Sequence, residues 1–236
     1  MYTGLVGAQG ALDYLSPTTV DKMYQISLQS DPLSAFLQQY VGGNQIGVAI
    51  ILVATVFMDG VSGLKAIGVG LLPGVLAIVK SLLDGQPGEL GIQLPMQYIN
   101  GAIQAYVMYA LLSGADHAGT VLKFYCAYTG LATAQCRIAP QAALKAWGCG
   151  PAEGTATQAF ATQLIGQSGL ALTVAMYTLG VESGEAGTAV GRVAVVYLAS
   201  LAEFLLSGTF TSLGVDVTKC YPWVVISTVV AATLLL

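Results

Sequence analysis

Lys80 and Glu203 carry opposite charges near the ends of two long apolar runs, where an ionisable side chain is expensive. If the two runs meet across a symmetry axis, these residues would form a structural ion pair. If they do not meet, each would extend its head to the membrane surface along an apolar stem. Arg192 stands eleven residues before Glu203, about 16 Å along a helix. Its expected partners are therefore Glu182 and Glu185 in the preceding loop.

His117 is the only histidine, and the four cysteines (Cys126, Cys136, Cys149 and Cys220) show no CxxC spacing. Such a set cannot close around a metal or hold a haem from both sides, so no metal or haem is expected on this chain alone. A single imidazole can still ligate one pigment magnesium. Asn100 and Gln104, one helical turn apart, offer amide oxygens for the same purpose or for a neighbouring helix. His117, Asn100 and Gln104 are thus the candidate pigment ligands, and chlorophyll, carotenoid or lipid at the protein surface are the cofactors the sequence suggests. Cys136 and Cys149 bracket a polar loop and read either as a disulfide or as two free thiols. GxSxG, HExxH, Walker A and dinucleotide fingerprints are missing, and no carboxylate pair sits within an apolar run. The sequence predicts no enzyme.

The elements that position these residues are apolar stretches at 36–58, 62–83, 96–113, 119–135, 160–181, 187–207 and 222–236. The chain is 55% hydrophobic and 8% charged, whereas a soluble domain carries about 25% charged residues. With net charge −4 and no basic patch, nucleic acid is excluded as a partner. A span needs roughly 20 residues and must satisfy its backbone internally, which requires helices. The stretch 119–135 is marginal and carries Lys123, and the last stretch is short. The expected class is an all-α integral membrane protein with about seven transmembrane helices, or six if 119–135 does not cross. Ahead of these, Ser16-Pro17 reads as an N-cap with proline at the first helical position. Val20, Met23, Tyr24 and Leu28 then recur at helical spacing opposite Asp21, Lys22 and Gln25. This predicts an N-terminal amphipathic helix on the membrane surface.

The chain also repeats itself. Leu82, Leu83, Gly85, Leu90, Gly91 and Tyr98 recur 123 positions later as Leu205, Leu206, Gly208, Leu213, Gly214 and Tyr221. Phe36, Gln39 and Gly42 recur 124 positions later as Phe160, Gln163 and Gly166. This divides the chain into an interfacial segment 1–35, a three-helix repeat 36–113, a linking helix and polar loop 114–159, and a second three-helix repeat 160–236. The copies are parallel if 119–135 crosses and inverted if it does not; its length favours crossing. Gly70-x-x-x-Gly74 and Gly187-x-x-x-Gly191 predict close helix packing, and Pro73 a bend.

Basic loop residues number five on the N-terminal side and three on the other, which leans towards a cytoplasmic, stromal or matrix N-terminal side. Almost no charge within the runs, short loops and no ligand cluster predict a non-catalytic scaffolding subunit. It would sit in a large organellar energy-converting complex, in the thylakoid ahead of the mitochondrial inner membrane, beside other membrane subunits, lipids and pigments. The alternative is a small transporter or channel built from duplicated repeats. A polar cavity within the helices separates the two.

Overall fold

The computed structural model describes residues 1–58, 61–149 and 154–236, and within them every regular element is helical. In order these are α1 (Tyr2–Leu15), α2 (Pro17–Tyr24), α3 (Pro32–Phe57), α4 (Gly63–Gly70), α5 (Leu72–Leu83), the single turn α6 (Gln86–Glu89) and α7 (Leu94–Ser113). They are followed by α8 (Ala118–Ile138), α9 (Pro140–Ala146), α10 (Ala156–Met176), α11 (Ala186–Leu206), α12 (Thr209–Ser212) and α13 (Tyr221–Leu235). A π-helical turn, Tyr177–Val181, extends α10.

Among the described residues, five segments are long and apolar enough to cross a membrane: Pro32–Phe57, Gly63–Leu83, Ala156–Val181, Ala186–Leu206 and Val217–Leu235. About half of each of the first four faces outwards, and the last is only 17% buried, yet their mean hydropathy is 1.4 to 2.0. Outward side chains such as Phe57, Leu83, Val225 and Val229 are apolar. In water they would form an apolar surface far larger than soluble proteins tolerate. The chain has an all-α membrane fold. The five differ from the expected set at two places. The predicted stretch 96–113 forms α7, but Gln97, Asn100 and Gln104 lower its hydropathy. The predicted stretch 119–135 forms α8, which runs on to include Arg137. Pro73 breaks 62–83 into α4 and α5, as its missing N–H requires.

The N-terminal segment departs most from expectation. Of the predicted N-terminal helix, Pro17–Tyr24 is helical as α2, but it ends before Leu28, which is buried in a separate turn, and α1 precedes it and lies antiparallel along α3. Tyr2, Val6, Gly10 and Asp13 are buried, and the Tyr2 hydroxyl lies 3.2 Å from Ser227 Oγ of α13. At about 1.5 Å per residue α1 is roughly 21 Å long, too short to span. Its approach depends on Gly42, where a Cβ would fall 2.6 Å from Tyr14 N and 2.7 Å from Gly10 O. α8 crosses α10 in the same way. A Cβ on Gly166 would fall 2.7 Å from Arg137 N and 2.8 Å from Thr133 O.

This parallel continues along the backbone. Ser16 joins α1 to α2 at φ −143°, ψ 55°, and Ala139 joins α8 to α9 at φ −135°, ψ 64°. Each is followed by proline. Gln25 and Gly148 both take the left-handed conformation. Asp31 caps α3 by accepting from Ser34 N, and Thr155 caps α10 by accepting from Gln158 N. Gly85 and Gly91 flank α6 at φ 70° and 74°, while Gly208 and Gly214 flank α12 at 72° and 73°. Two bonds exchange between the halves: Asp216 N donates to Tyr24 O at 3.1 Å, and Gln93 N donates to Trp147 O at 3.0 Å. At the centre α3 and α10 run parallel. Gln158 Nε2 donates to Asp31 Oδ1 at 3.1 Å at one end, and Asn44 Nδ2 donates to Ser168 Oγ at 3.2 Å further along.

Because the atoms opposing Gly42 and Gly166 are backbone, a methyl group at either site forces helices apart. Gly42→Ala and Gly166→Ala should each cost about 1–3 kcal/mol, read as a lower melting temperature in detergent. Gly4→Ala, with open space at its Cβ position, should be neutral or slightly stabilising. Equal melting temperatures for all three variants would contradict this packing.

Candidate functional site

α1 carries Gln9 and Asp13 one turn apart, Asp13 bonded to α3 and Gln9 to α2. Asp13 Oδ1 accepts from Gln38 Nε2 at 3.0 Å, and Oδ2 accepts from Gln9 Nε2 at 3.2 Å. Gln38 Oε1 in turn accepts from Gln29 Nε2 at 2.7 Å. Gln9 Oε1 accepts from the Tyr24 hydroxyl, to which Trp223 Nε1 donates at 2.9 Å. α2 and the start of α13 therefore hold one side of the network, while α1 and α3 hold the other. Asp13 is 5% exposed.

Beside this network is a partly open cavity of about 140 Å³, lined by α1, α2 and α3 on one side and by α10 to α13 on the other. A single water needs only about 10–15 Å³. The walls are largely apolar, from residues such as Val6, Val41, Leu164 and Leu201, with Gln45, Gln167 and Tyr197 among them. Gln45 Oε1 and the Tyr197 hydroxyl are buried with no hydrogen-bond partner. Buried polar atoms are almost always paired. A concave, mainly apolar site with a few convergent polar groups is the usual form of a small-ligand pocket.

Burial pushes the Asp13 carboxyl up to about 6, and the nearby Asp21 charge adds to the rise. The amide hydrogen bonds from Gln38 and Gln9 partly oppose it.

The expected site residues lie elsewhere and do not converge. Lys80 pairs with Asp84 at 2.6 Å, one turn along its own helix and exposed. Glu203 pairs with Arg137 at 2.6 Å. The expected Lys80–Glu203 pair is thus replaced by two separate ones, because each residue has a nearer partner in its own half. Arg137, counted in the sequence among the five basic loop residues of the N-terminal side, lies instead within α8; it is 7% exposed, lies 4.0 Å from the centre of the Phe204 ring and donates to Ser200 O at 3.1 Å. Arg192 pairs with Glu182, one of its two expected partners, and donates to Thr178 Oγ1 at 3.2 Å.

His117 is exposed just before α8, its Nε2 3.1 Å from the Tyr106 hydroxyl. Asn100 Oδ1 accepts from the Tyr128 hydroxyl of α8. Gln104 Nε2 reaches Leu71 O at 3.4 Å and lies against Gly74 at the Pro73 break. These three candidate pigment ligands each hold a protein partner on a different element. All four cysteines are buried free thiols, so Cys136 and Cys149 are not bridged. Among the described residues no cluster of three or more His, Cys, Asp or Glu could hold a metal ion.

The cavity network was not anticipated, although its signals are in the sequence. Gln9 and Asp13 are spaced i, i+4, and Gln38 and Gln45 are spaced i, i+7, so each pair shares one helix face. No known protein family matches the chain, and no curated protein or solved structure shows significant similarity to it.

Asp13 has a higher pKa in the folded chain than the value of about 3.9 expected unfolded. The folded state therefore binds the extra proton between these values. Stability should rise as pH falls through about 6 and level off below about 4, a gain on the order of 3 kcal/mol from a shift of roughly two units. Asp13→Asn should remove this dependence, as read by melting temperature in detergent between pH 4 and 8. Superimposable profiles for the two proteins would contradict it.

Proposed function

We propose that the chain is a small membrane transporter built from two copies of one helical unit, with the Asp13 cavity as its binding site. The carrying observation is that cavity. It joins a buried carboxyl without a basic partner to two buried polar atoms without any partner, Gln45 Oε1 and Tyr197 OH. An ionisable group inside a membrane protein is costly and is retained mainly where it works. A scaffold, by contrast, would fill such a space with side chains.

The backbone matches support a duplication longer than three helices, in which α1 and α2 correspond to α8 and α9. The segment 114–159 is then the second copy of the N-terminal segment, not a linker. Parallel contact between α3 and α10 requires an even number of crossings between their starts, which fits α7 and α8 both spanning and gives seven crossings in all. Parallel repeats about an axis along the membrane normal, with the substrate site at their interface, are one established transporter design. The cavity lies where the first half's α1–α3 meets the second half's α10–α13.

A second reading, a non-catalytic subunit of an organellar energy-converting complex, is favoured by one surface. Tyr98, Tyr106 and Tyr109 of α7 and Phe124 and Tyr128 of α8 are exposed, and aromatic residues are enriched where proteins meet. Pigments, lipids or neighbouring subunits would cover that face, in a thylakoid or a mitochondrial inner membrane.

Reconstitution into liposomes separates the readings. Solutes of equal size bearing an ammonium, a hydroxyl or a carboxylate should include at least one that enters faster than into empty vesicles. Asp13→Asn should lower that uptake at least tenfold. Uptake equal to empty vesicles for every solute, with the chain recovered only in a larger assembly, favours the subunit.

A further inference from the structure

The polar groups around the cavity share one chemical character. Asp13 is a carboxyl whose two oxygens meet only amide N–H groups. The ion pairs among the described residues are Lys80–Asp84, Arg137–Glu203 and Arg192–Glu182, and none reaches it. A buried carboxylate without a countercharge is strongly disfavoured and is relieved by protonation or by a cation. Gln45 Oε1 is an acceptor awaiting a donor, and the Tyr197 oxygen can serve as a second. Tyr24 and Trp223 also line the space; tryptophan in particular attracts a cation placed over its ring face.

The second half of the chain lacks this set. Where the first half has Gln9, Asp13 and Gln45, the corresponding residues are Ala132, Cys136 and Gly169, and the counterpart of Tyr197 is Gly74. The acceptors are therefore not a requirement of the repeated frame. They belong to one cavity.

We propose that this cavity selects a small organic ammonium ion, on the order of six or seven non-hydrogen atoms, since a space near 150 Å³ takes a benzene-sized molecule. The inference rests on reading the cavity as the binding site. The ammonium N–H groups donate to Asp13, Gln45 Oε1 and Tyr197 Oη, and its carbon skeleton lies against Val41, Leu164 and Leu201. A bare hard cation is a poor fit, because such ions take shells of about six or more oxygens and these walls are mostly carbon. An anion would meet the Asp13 carboxylate.

The test uses the full chain in detergent at pH 7.5, with calorimetric binding of cyclohexylammonium, cyclohexanol and cyclohexanecarboxylate. Cyclohexylammonium should bind at least tenfold tighter than either of the others. Asp13→Asn should weaken it at least tenfold, and Gln45→Leu and Tyr197→Phe severalfold each. If Asp13→Asn does not fold, the wild-type preference together with Gln45→Leu and Tyr197→Phe decides. Equal binding of ammonium and alcohol, or unchanged ammonium binding in the variants, overturns the proposal. Ammonium bound but not moved into liposomes sinks the transporter reading and leaves the selectivity standing. Alcohol moved as readily as ammonium, with both lowered by Asp13→Asn, sinks the selectivity and leaves transport through this cavity standing.

Discussion

Backbone contact at Gly42 is the constraint on which the rest depends. With no Cβ on Gly42, the carbonyl of Gly10 and the amide of Tyr14 come within van der Waals reach of α3. That approach lays one face of α1, Tyr2, Val6, Gly10 and Asp13, against the helical body, and it carries Asp13 inwards. Once there, Asp13 is almost wholly buried, and Gln38 and Gln9 supply its hydrogen bonds. The positions of α2, Tyr24 and Trp223 follow from completing that network. The same contact recurs at Gly166, where α8 crosses α10 and brings Arg137 against Phe204 and Glu203.

The proposed duplication would make one backbone plan serve two ends. Their turns agree at Ser16 and Ala139, at Gln25 and Gly148, and at the glycine pairs flanking α6 and α12. Their side chains diverge at the crossing. Tyr14 corresponds to Arg137 and Asp13 to Cys136. The α8–α10 crossing carries a charge pair, and the α1–α3 crossing carries an acid beside an open space. Retained backbone with exchanged polar groups is the pattern expected when a frame is fixed by packing and a site is free to specialise.

What the sequence made legible follows from the kind of force involved. Long apolar runs such as Ile46–Phe57 and Val190–Leu206 announce themselves, since lipid demands a continuous apolar surface. The glycines at 85, 91, 208 and 214 were also readable, because left-handed turns select that residue. α1 was not readable. Gly4, Gly7 and Gly10 lower its helix propensity, and it is held by close backbone approach, which leaves no apolar periodicity. Asp13 therefore stood in the part of the interfacial segment, ahead of Ser16, to which the sequence assigned no element. The Lys80–Glu203 pairing failed for a different reason. Positions that match in sequence need not meet in space, and these two residues have nearer partners, Asp84 and Arg137.

The central claim is that α1 is a packed helix of the body, equivalent to α8 and not a surface segment. Amide hydrogen exchange of the full chain in lipid nanodiscs measures this directly. The account predicts that the amides of residues 6–14 exchange as slowly as those of 129–137, their counterparts in α8. Exchange across 6–14 as fast as in the turn at 25–30 would contradict it and remove Asp13 from the cavity.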